Sequence, residues 1–276
     1  MDKNIGLVAT DLDGTLLRND KTISPEDLDM LHLLGERKIT RVVATGRNYL
    51  KVREVIPDHI PFDFVAFSSG AGIYDCRNNR LLYQQNIPKD TVNKILQWLI
   101  SKDLNFHLFR EVPDNFRCWY HRGAEVCHEF ERYFTYHNPV SEALPASGRI
   151  DSDACQFLVI FKEAERFYEL KEILEQRFDN IKVLRASSPL LTGYVWMEIF
   201  HAGVSKGNAI RYLCDYLNIL REATFGIGND YNDLDLLDFT GFSYLVENGP
   251  DELKHRYRPA PSNEANAFSE SLKNHL

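Results

Sequence analysis

The sequence predicts an α/β protein in which a doubly wound parallel sheet is interrupted by an inserted α+β domain. Three observations carry that prediction. Short apolar runs alternate with helix-like stretches from residue 5 to residue 67. The alternation fails between about residues 72 and 190, where strand-like runs follow one another, and it resumes at Ser205. Strand–helix alternation builds a parallel sheet, and antiparallel strands with helices on one face build an α+β module.

The elements follow in order. Ile5-Gly-Leu-Val-Ala9 is apolar on both faces, as a central strand covered by helices must be, and it stops at Thr10-Asp11-Leu12-Asp13-Gly14. Ser24-Pro25-Glu26-Asp27 opens a helix, with Ser as N-cap, Pro in the first turn and acids beside it. Leu28, Leu31 and Gly35 continue it at helical spacing, and Ile39–Ala44 is the next strand. Thr45-Gly46-Arg47 turns into another helix, and Phe64–Phe67 is a third strand ending in Ser68-Ser69-Gly70. Gly72–Tyr83 reads as a hairpin around Asn78-Asn79. Val92, Ile95, Leu96 and Leu99 mark a helix, and Phe106–Phe109 and Phe116–Tyr120 mark two strands. Gln156–Phe161 is a further strand, followed by a helix carrying Phe167, Leu170, Leu174 and Phe178. Ser205-Lys206-Gly207 opens a helix bearing Ile210, Leu213, Cys214 and Leu217. Ala223–Ile227 is a strand that runs into Gly228-Asn229-Asp230-Tyr231-Asn232-Asp233. The reading is a core from residues 1–83 and 189–276, an insert from 84–188, and hinges near 82–88 and 184–192.

Composition narrows the function. The 276 residues hold 32 basic and 40 acidic side chains, a net charge of −8, which argues against nucleic acid as a partner. No apolar run approaches the ~20 residues needed to cross a bilayer. The apolar stretch before Asp11 is too short for a secretion signal. Cysteines at 76, 118, 127, 155 and 214 are scattered, with no Cys-x-x-Cys, as expected of reduced thiols in a cytoplasm. The oligomeric state is not legible.

In open α/β sheets ligands bind beyond the carboxyl ends of the strands. Those ends carry Asp11 and Asp13, then Thr45, then Asn229, Asp230 and Asp233, with Lys206 beginning a helix beside them. Two carboxylates about 4 Å apart repel by roughly 4 kcal/mol at an effective dielectric near 20. A cluster of them calls for a hard divalent cation, Mg²⁺ foremost, which in turn favours a phosphate ester as ligand. Thr45, backbone N–H groups at a helix start and Lys206 are placed to hold the remaining phosphate oxygens.

At this point the sequence resembles the haloacid dehalogenase-like phosphatases, specifically the Cof-type (IIB) hydrolases. Asp11-Leu-Asp13-Gly-Thr15-Leu16 matches the first motif of that family and Val43-Ala-Thr45-Gly46-Arg47 the second. Gly203-Val-Ser-Lys206-Gly207 matches the third and Gly228-Asn-Asp-Tyr-Asn-Asp233 the fourth, all in order along the chain. The resemblance implies a Rossmann-like core with a mobile α+β cap over the site. It implies Mg²⁺-dependent hydrolysis of small phosphate monoesters, sugar phosphates in particular, in which Asp11 forms an aspartyl-phosphate. Asp13 would act as acid and then base, a role expected to need a raised pKa, and its main-chain carbonyl would ligate the metal. Leu12, Gly46, Arg47 and Asn232 are expected to contact substrate. The fourth motif departs from the family, which has Asp where this chain has Asn229. Either Asn229 or the next residue, Asp230, completes the metal set, with Asp233 as a further acid of that shell.

Plainer readings stand beside these. Asp11 and Asp13 also suit a turn, Thr45 a helix cap, and Asp230 and Asp233 a surface loop. Cys118 and His121 fall on or near a strand and Cys127-His128 are adjacent on a helix, a pattern that does not suit zinc, and the aromatic run from Trp119 to Tyr136 suits packing. Two rival functions remain open: a phosphomutase on the same core, and a non-catalytic phosphometabolite-binding protein if Asn229 disables the metal site.

Overall fold

A computed structural model describes residues 5–57, 59–188 and 193–276. The chain divides into two compact units, one from both ends (up to Tyr83 and from Ser205) and one from Gln84–Val204. The first stretch runs β1 (Leu7–Thr10), α1 (Pro25–Glu36), β2 (Thr40–Ala44), α2 (Tyr49–Val55), β3 (Phe64–Phe67), β4 (Gly72–Asp75) and β5 (Arg80–Gln84). The middle holds α3 (Lys89–Ser101), β6 (Phe106–Arg110), β7 (Cys118–His121), α4 (His128–His137), β8 (Ser141–Ala143), β9 (Ala154–Phe161), α5 (Ala164–Arg177), β10 (Ile181–Ser187) and β11 (Val195–His201). The last stretch holds α6 (Lys206–Leu217), β12 (Thr224–Gly228), α7 (Leu234–Phe239), β13 (Phe242–Val246), β14 (Arg258–Ala260) and α8 (Ala267–Leu272).

The first unit is a sheet in the order β14-β13-β12-β1-β2-β3-β4-β5, parallel from β14 to β3, with β4 antiparallel to β3. β1 is buried throughout, as its apolar run requires. Leu7, Ala9, Val42, Ala44, Phe64 and Ala66 meet Ala209, Ile210, Leu213 and Leu236 of α6 and α7 in one core. The alternate residues Val8, Val43 and Val65 are also buried, and α1 packs against β2 and α8. Each such side chain contributes about 1.5–3 kcal/mol by leaving water. Ser24 caps α1, its hydroxyl accepting from the Asp27 N–H at 3.1 Å.

The second unit is a sheet in the order β10-β11-β9-β6-β7-β8, antiparallel except for β7 with β8. α3 and α5 bury one face: Val92, Ile95, Leu99, Leu170 and Leu174 pack with Phe106, Leu108, Phe157 and Val159. The expectation of helices on that face alone needs correction. His107, which alternates with Phe106 and Leu108, meets Phe130 of α4 at 4.5 Å between ring centroids, so α4 covers part of the opposite face.

The second domain boundary also needs correction, from residue 189 to residue 205. β11 pairs in register with β10 from Ile181↔His201 to Ser187↔Val195 and with β9 on its other side. These long-range ladders bind it to the insert, whereas the core resumes at Ser205. Of the hinge expected at 184–192, residues 184–187 are in β10 and 189–192 lie outside the described residues. No helix among the described residues is long and apolar enough to cross a membrane, and all five cysteines are free thiols.

Candidate active site

Neighbouring parallel strands end at the same edge, so the loops after β1, β2 and β12 lie side by side where the crossovers reverse direction about β1 and β12. Asp11 follows β1, and its N–H donates to Ile227 O at 2.9 Å, extending the ladder past the strand. Lys206 opens α6 behind Ser205, whose hydroxyl caps the helix by accepting from the Asn208 N–H at 3.1 Å. The Lys206 ammonium is 1% exposed and donates to Asp11 Oδ1 at 2.6 Å, Asp233 Oδ1 at 2.6 Å and Asn232 Oδ1 at 3.3 Å. Its three donors are thus all used. Burial disfavours the ammonium, but Asp11 and Asp233 outweigh it, and the group stays charged.

Asp233 is expected in the metal set, and the structure engages both its oxygens elsewhere. Oδ1 takes Lys206, and Oδ2 accepts the N–H groups of Asn229 at 2.9 Å and Asp230 at 3.0 Å. Asp230 in turn caps the short turn Tyr231–Asp233 in a reciprocal capping box. Both acids therefore shape the loop that presents Asn229.

The Asn229 amide faces Asp13 O at 3.1 Å, Asp11 Oδ2 at 3.2 Å and Thr15 Oγ1 at 3.2 Å. With nitrogen on that side it donates to those oxygens; with oxygen on that side, carboxylate, carbonyl and amide oxygens converge. Gly14 sits beneath it at φ +74°, and a Cβ there would meet the amide at 2.6 Å, so both the conformation and the space demand glycine.

The two carboxylates of the first motif are in opposite environments. Burial pushes Asp11 up to about 7; Lys206 pulls it down, and Asp233 and Asp13 add to the rise. Asp13 was expected to be raised, and it is not. Burial raises it, but Arg47 and Lys21 more than reverse that and hold it at about 2. Arg47 donates from Nε to Asp13 Oδ2 at 2.5 Å and from a terminal nitrogen to Oδ1 at 2.8 Å, and Lys21 Nζ reaches Oδ1 at 2.9 Å. The expected cluster of repelling acids is thus largely neutralised by the protein's own cations.

Thr45 is buried after β2 and its hydroxyl accepts from the Arg47 N–H at 3.2 Å. It does not cap α2: Asn48 does, accepting from the Lys51 N–H at 2.9 Å. Among the described residues the N–H groups of Leu12 and Gly46 have no hydrogen-bond partner. A Cβ on Gly46 would lie 3.6 Å from the Asn232 amide, which places the second and fourth motifs together. Sequence reasoning missed Lys21 and the Thr15 hydroxyl. The polar turn Arg18–Thr22 signals a reversal of the chain, but which of its side chains returns to Asp13 is a matter of tertiary structure.

The profile of the haloacid dehalogenase-like hydrolases matches residues 8–269. The chain is 26% identical over 256 residues to the HMP-PP phosphatase of Serratia proteamaculans, covering 90% of the chain and 86% of that protein. It is 26% identical over 275 residues to the 5-amino-6-(5-phospho-D-ribitylamino)uracil phosphatase YitU of Bacillus subtilis, covering 98% and 97%. Among solved structures, a haloalkanoate-superfamily phosphatase of Bacteroides thetaiotaomicron shares the fold with a TM-score of 0.81 at 19% identity, covering 99% of this chain and 96% of that one. Four motifs in order, their convergence at one sheet edge, and these full-length matches agree: the chain belongs to the haloacid dehalogenase-like hydrolases, on the phosphatase side of that family.

Proposed function

We propose that the protein is a Mg²⁺-dependent phosphomonoesterase working through an aspartyl-phosphate on Asp11. The observation that carries this reading is the division of the Asp11 carboxylate, Oδ1 toward Lys206 and Oδ2 toward the Asn229 amide, which Asp13 O also faces. The donor set fits the metal. Separations of 3.1 and 3.2 Å lie close to the octahedral edge of about 2.9 Å implied by Mg–O bonds of about 2.0–2.1 Å. Burial, with Asp233 and Asp13 beside it, raises Asp11 to about 7 against the pull of Lys206, a shift that a bound cation would oppose. Asp11 Oδ2, Asp13 O and Asn229 Oδ1 would hold the ion, whereas Asp230 and Asp233 hold the loop. When bound, Mg²⁺ supplies neutralisation and orientation of the phosphoryl oxygens.

Asp11 Oδ1 attacks phosphorus, the bond to the leaving oxygen breaks, and Asp13 gives that oxygen its proton. Water then gives a proton to Asp13 and attacks phosphorus, the aspartyl–phosphorus bond breaks, and inorganic phosphate leaves. Lys206 offsets the charge on the transferring group; the N–H groups of Leu12 and Gly46, with Thr45 and Asn232, receive its oxygens. Held by Arg47 and Lys21, Asp13 is poised as the base; its acid step requires those cations to let go. Small phosphate monoesters, sugar phosphates among them, are the proposed substrates, a choice supported by the named activities of the Serratia and Bacillus relatives.

The test is phosphate release from a panel of esters with Mg²⁺ and with chelator. We expect release that needs the metal and falls roughly 10⁴-fold or more in Asp11→Asn with the fold intact. Near-normal turnover by that variant would remove Asp11 as nucleophile. Transfer without release identifies a mutase, and inactivity on every ester identifies a binding protein.

A further inference from the structure

Charge is unevenly divided across this site. Asp11 and Asp233 share Lys206, which leaves one negative charge at the end where the metal is proposed. Asp13 is shared by Arg47 and Lys21, which leaves one positive charge at the other end. Among the described residues neither cation has a second carboxylate within 4.0 Å. Lys21 is aimed at Asp13 by a built turn: the Arg18 N–H donates to Thr22 O at 2.9 Å, and Asp20 Oδ1 accepts the Thr22 N–H at 2.9 Å and its hydroxyl at 2.6 Å. Arg47 meets the same carboxylate with two nitrogens, the fork that suits carboxylate and phosphate alike.

Asp13 must turn toward the leaving oxygen, and the two cations released into water would lose their charge-assisted hydrogen bonds, two from Arg47 and one from Lys21. A second anion exchanged for Asp13 prevents that loss. We infer that Arg47 and Lys21 form a receptor for a second anionic group of the substrate. Preferred substrates then carry a phosphate or carboxylate on the leaving oxygen itself or on the neighbouring carbon. This rests on the phosphatase reading only for the position of the leaving oxygen. It separates diphosphate monoesters and acidic phosphomonoesters from esters of neutral alcohols.

The test uses matched pairs with Mg²⁺: methyl diphosphate against methyl phosphate, and phosphoglycolate against ethyl phosphate. The wild-type protein is expected to favour the acidic member roughly tenfold or more in kcat/KM, the scale of a charge-assisted hydrogen bond. Lys21→Met, at a half-exposed turn position, collapses that ratio several-fold, and Lys21→Arg restores it. A preference for methyl diphosphate alone identifies the second group as phosphate, and a preference for phosphoglycolate alone identifies it as carboxylate. Equal turnover within both pairs, or an undiminished ratio in Lys21→Met, overturns the inference. Hydrolysis of p-nitrophenyl phosphate is the separate check on the phosphatase reading. If that ester survives, calorimetry decides the anion pair by itself: inorganic diphosphate binds at least several-fold tighter than inorganic phosphate in wild type but not in Lys21→Met, or the pair is refuted.

Discussion

In the unit built from both chain ends, Lys206 is buried between Asp11 and Asp233, and each charge has an opposite partner at 2.6 Å. In the unit from Gln84–Val204, His107 is equally buried, yet among the described residues both its ring nitrogens lack hydrogen-bond partners and its neighbours include the rings of Phe130 and Tyr133. The first arrangement keeps charge inside the protein by pairing it; the second keeps an ionisable ring inside by leaving it neutral. Burial alone therefore does not mark a reactive centre. A chain that maintains buried charges spends stability on them, because a desolvated ion pair rarely outdoes an apolar substitute. That expense makes sense at Lys206 under the proposed function, in which the phosphoryl group needs a fixed cation.

The strongest challenge to this contrast is Lys206→Met. It strands two buried carboxylates, and the protection of β1 and β12 against hydrogen exchange should fall by about 3–5 kcal/mol. Adding Asp11→Asn should recover part of that loss. A change under about 1 kcal/mol would mean that the pair is not a coupled network.

The next test probes the neutral ring. Burial lowers His107 to about 3, with His137 and Arg122 acting in the same direction. A depressed histidine favours folding above its unfolded value near 6.5, and the advantage is lost as pH falls from there toward 3. Between pH 7 and pH 5 the second unit should lose about 2 kcal/mol to this group, and His107→Leu should remove that loss. Trp98, Trp119 and Trp196 are the three tryptophans and all lie in this unit, so their fluorescence follows its unfolding in urea. An unchanged pH dependence in His107→Leu would place the sensitive group elsewhere.

The smallest effect concerns the proposed metal set. Asn229→Asp adds a charged ligand facing Asp11 Oδ2, and Mg²⁺ should bind about tenfold tighter by calorimetry. Asp230→Asn should leave that affinity unchanged. The reverse pattern would move the ligand to Asp230.

Much of this was readable in the residues. Ser24 with Pro25 announces α1, the apolar run before Asp11 announces β1, and four short motifs bring Asp11, Thr45, Lys206 and Asp233 to one sheet edge. The failures share one cause, since each depends on a partner far along the chain. β11 joins the insert through ladders to β9 and β10, and nothing in Val195–His201 names those partners. The depression of Asp13 comes from Lys21 and Arg47, so its immediate acidic neighbours pointed the wrong way. The proposed choice of Asn229 over Asp230 as ligand rests on which side chain the capping turn consumes.

Asp11 and Lys206 are separated by 195 positions, with the whole of the second unit between them. At about 5–20 residues per second, a ribosome makes Asp11 roughly 10–40 s before Lys206. The intervening unit is contiguous and is fully synthesised first. Until β12 inserts beside β1, Asp11 is an ordinary hydrated carboxylate, so under the proposed function an interrupted or truncated nascent chain is chemically silent toward phosphate esters. Competence arrives in one late event, when the final strands close the sheet.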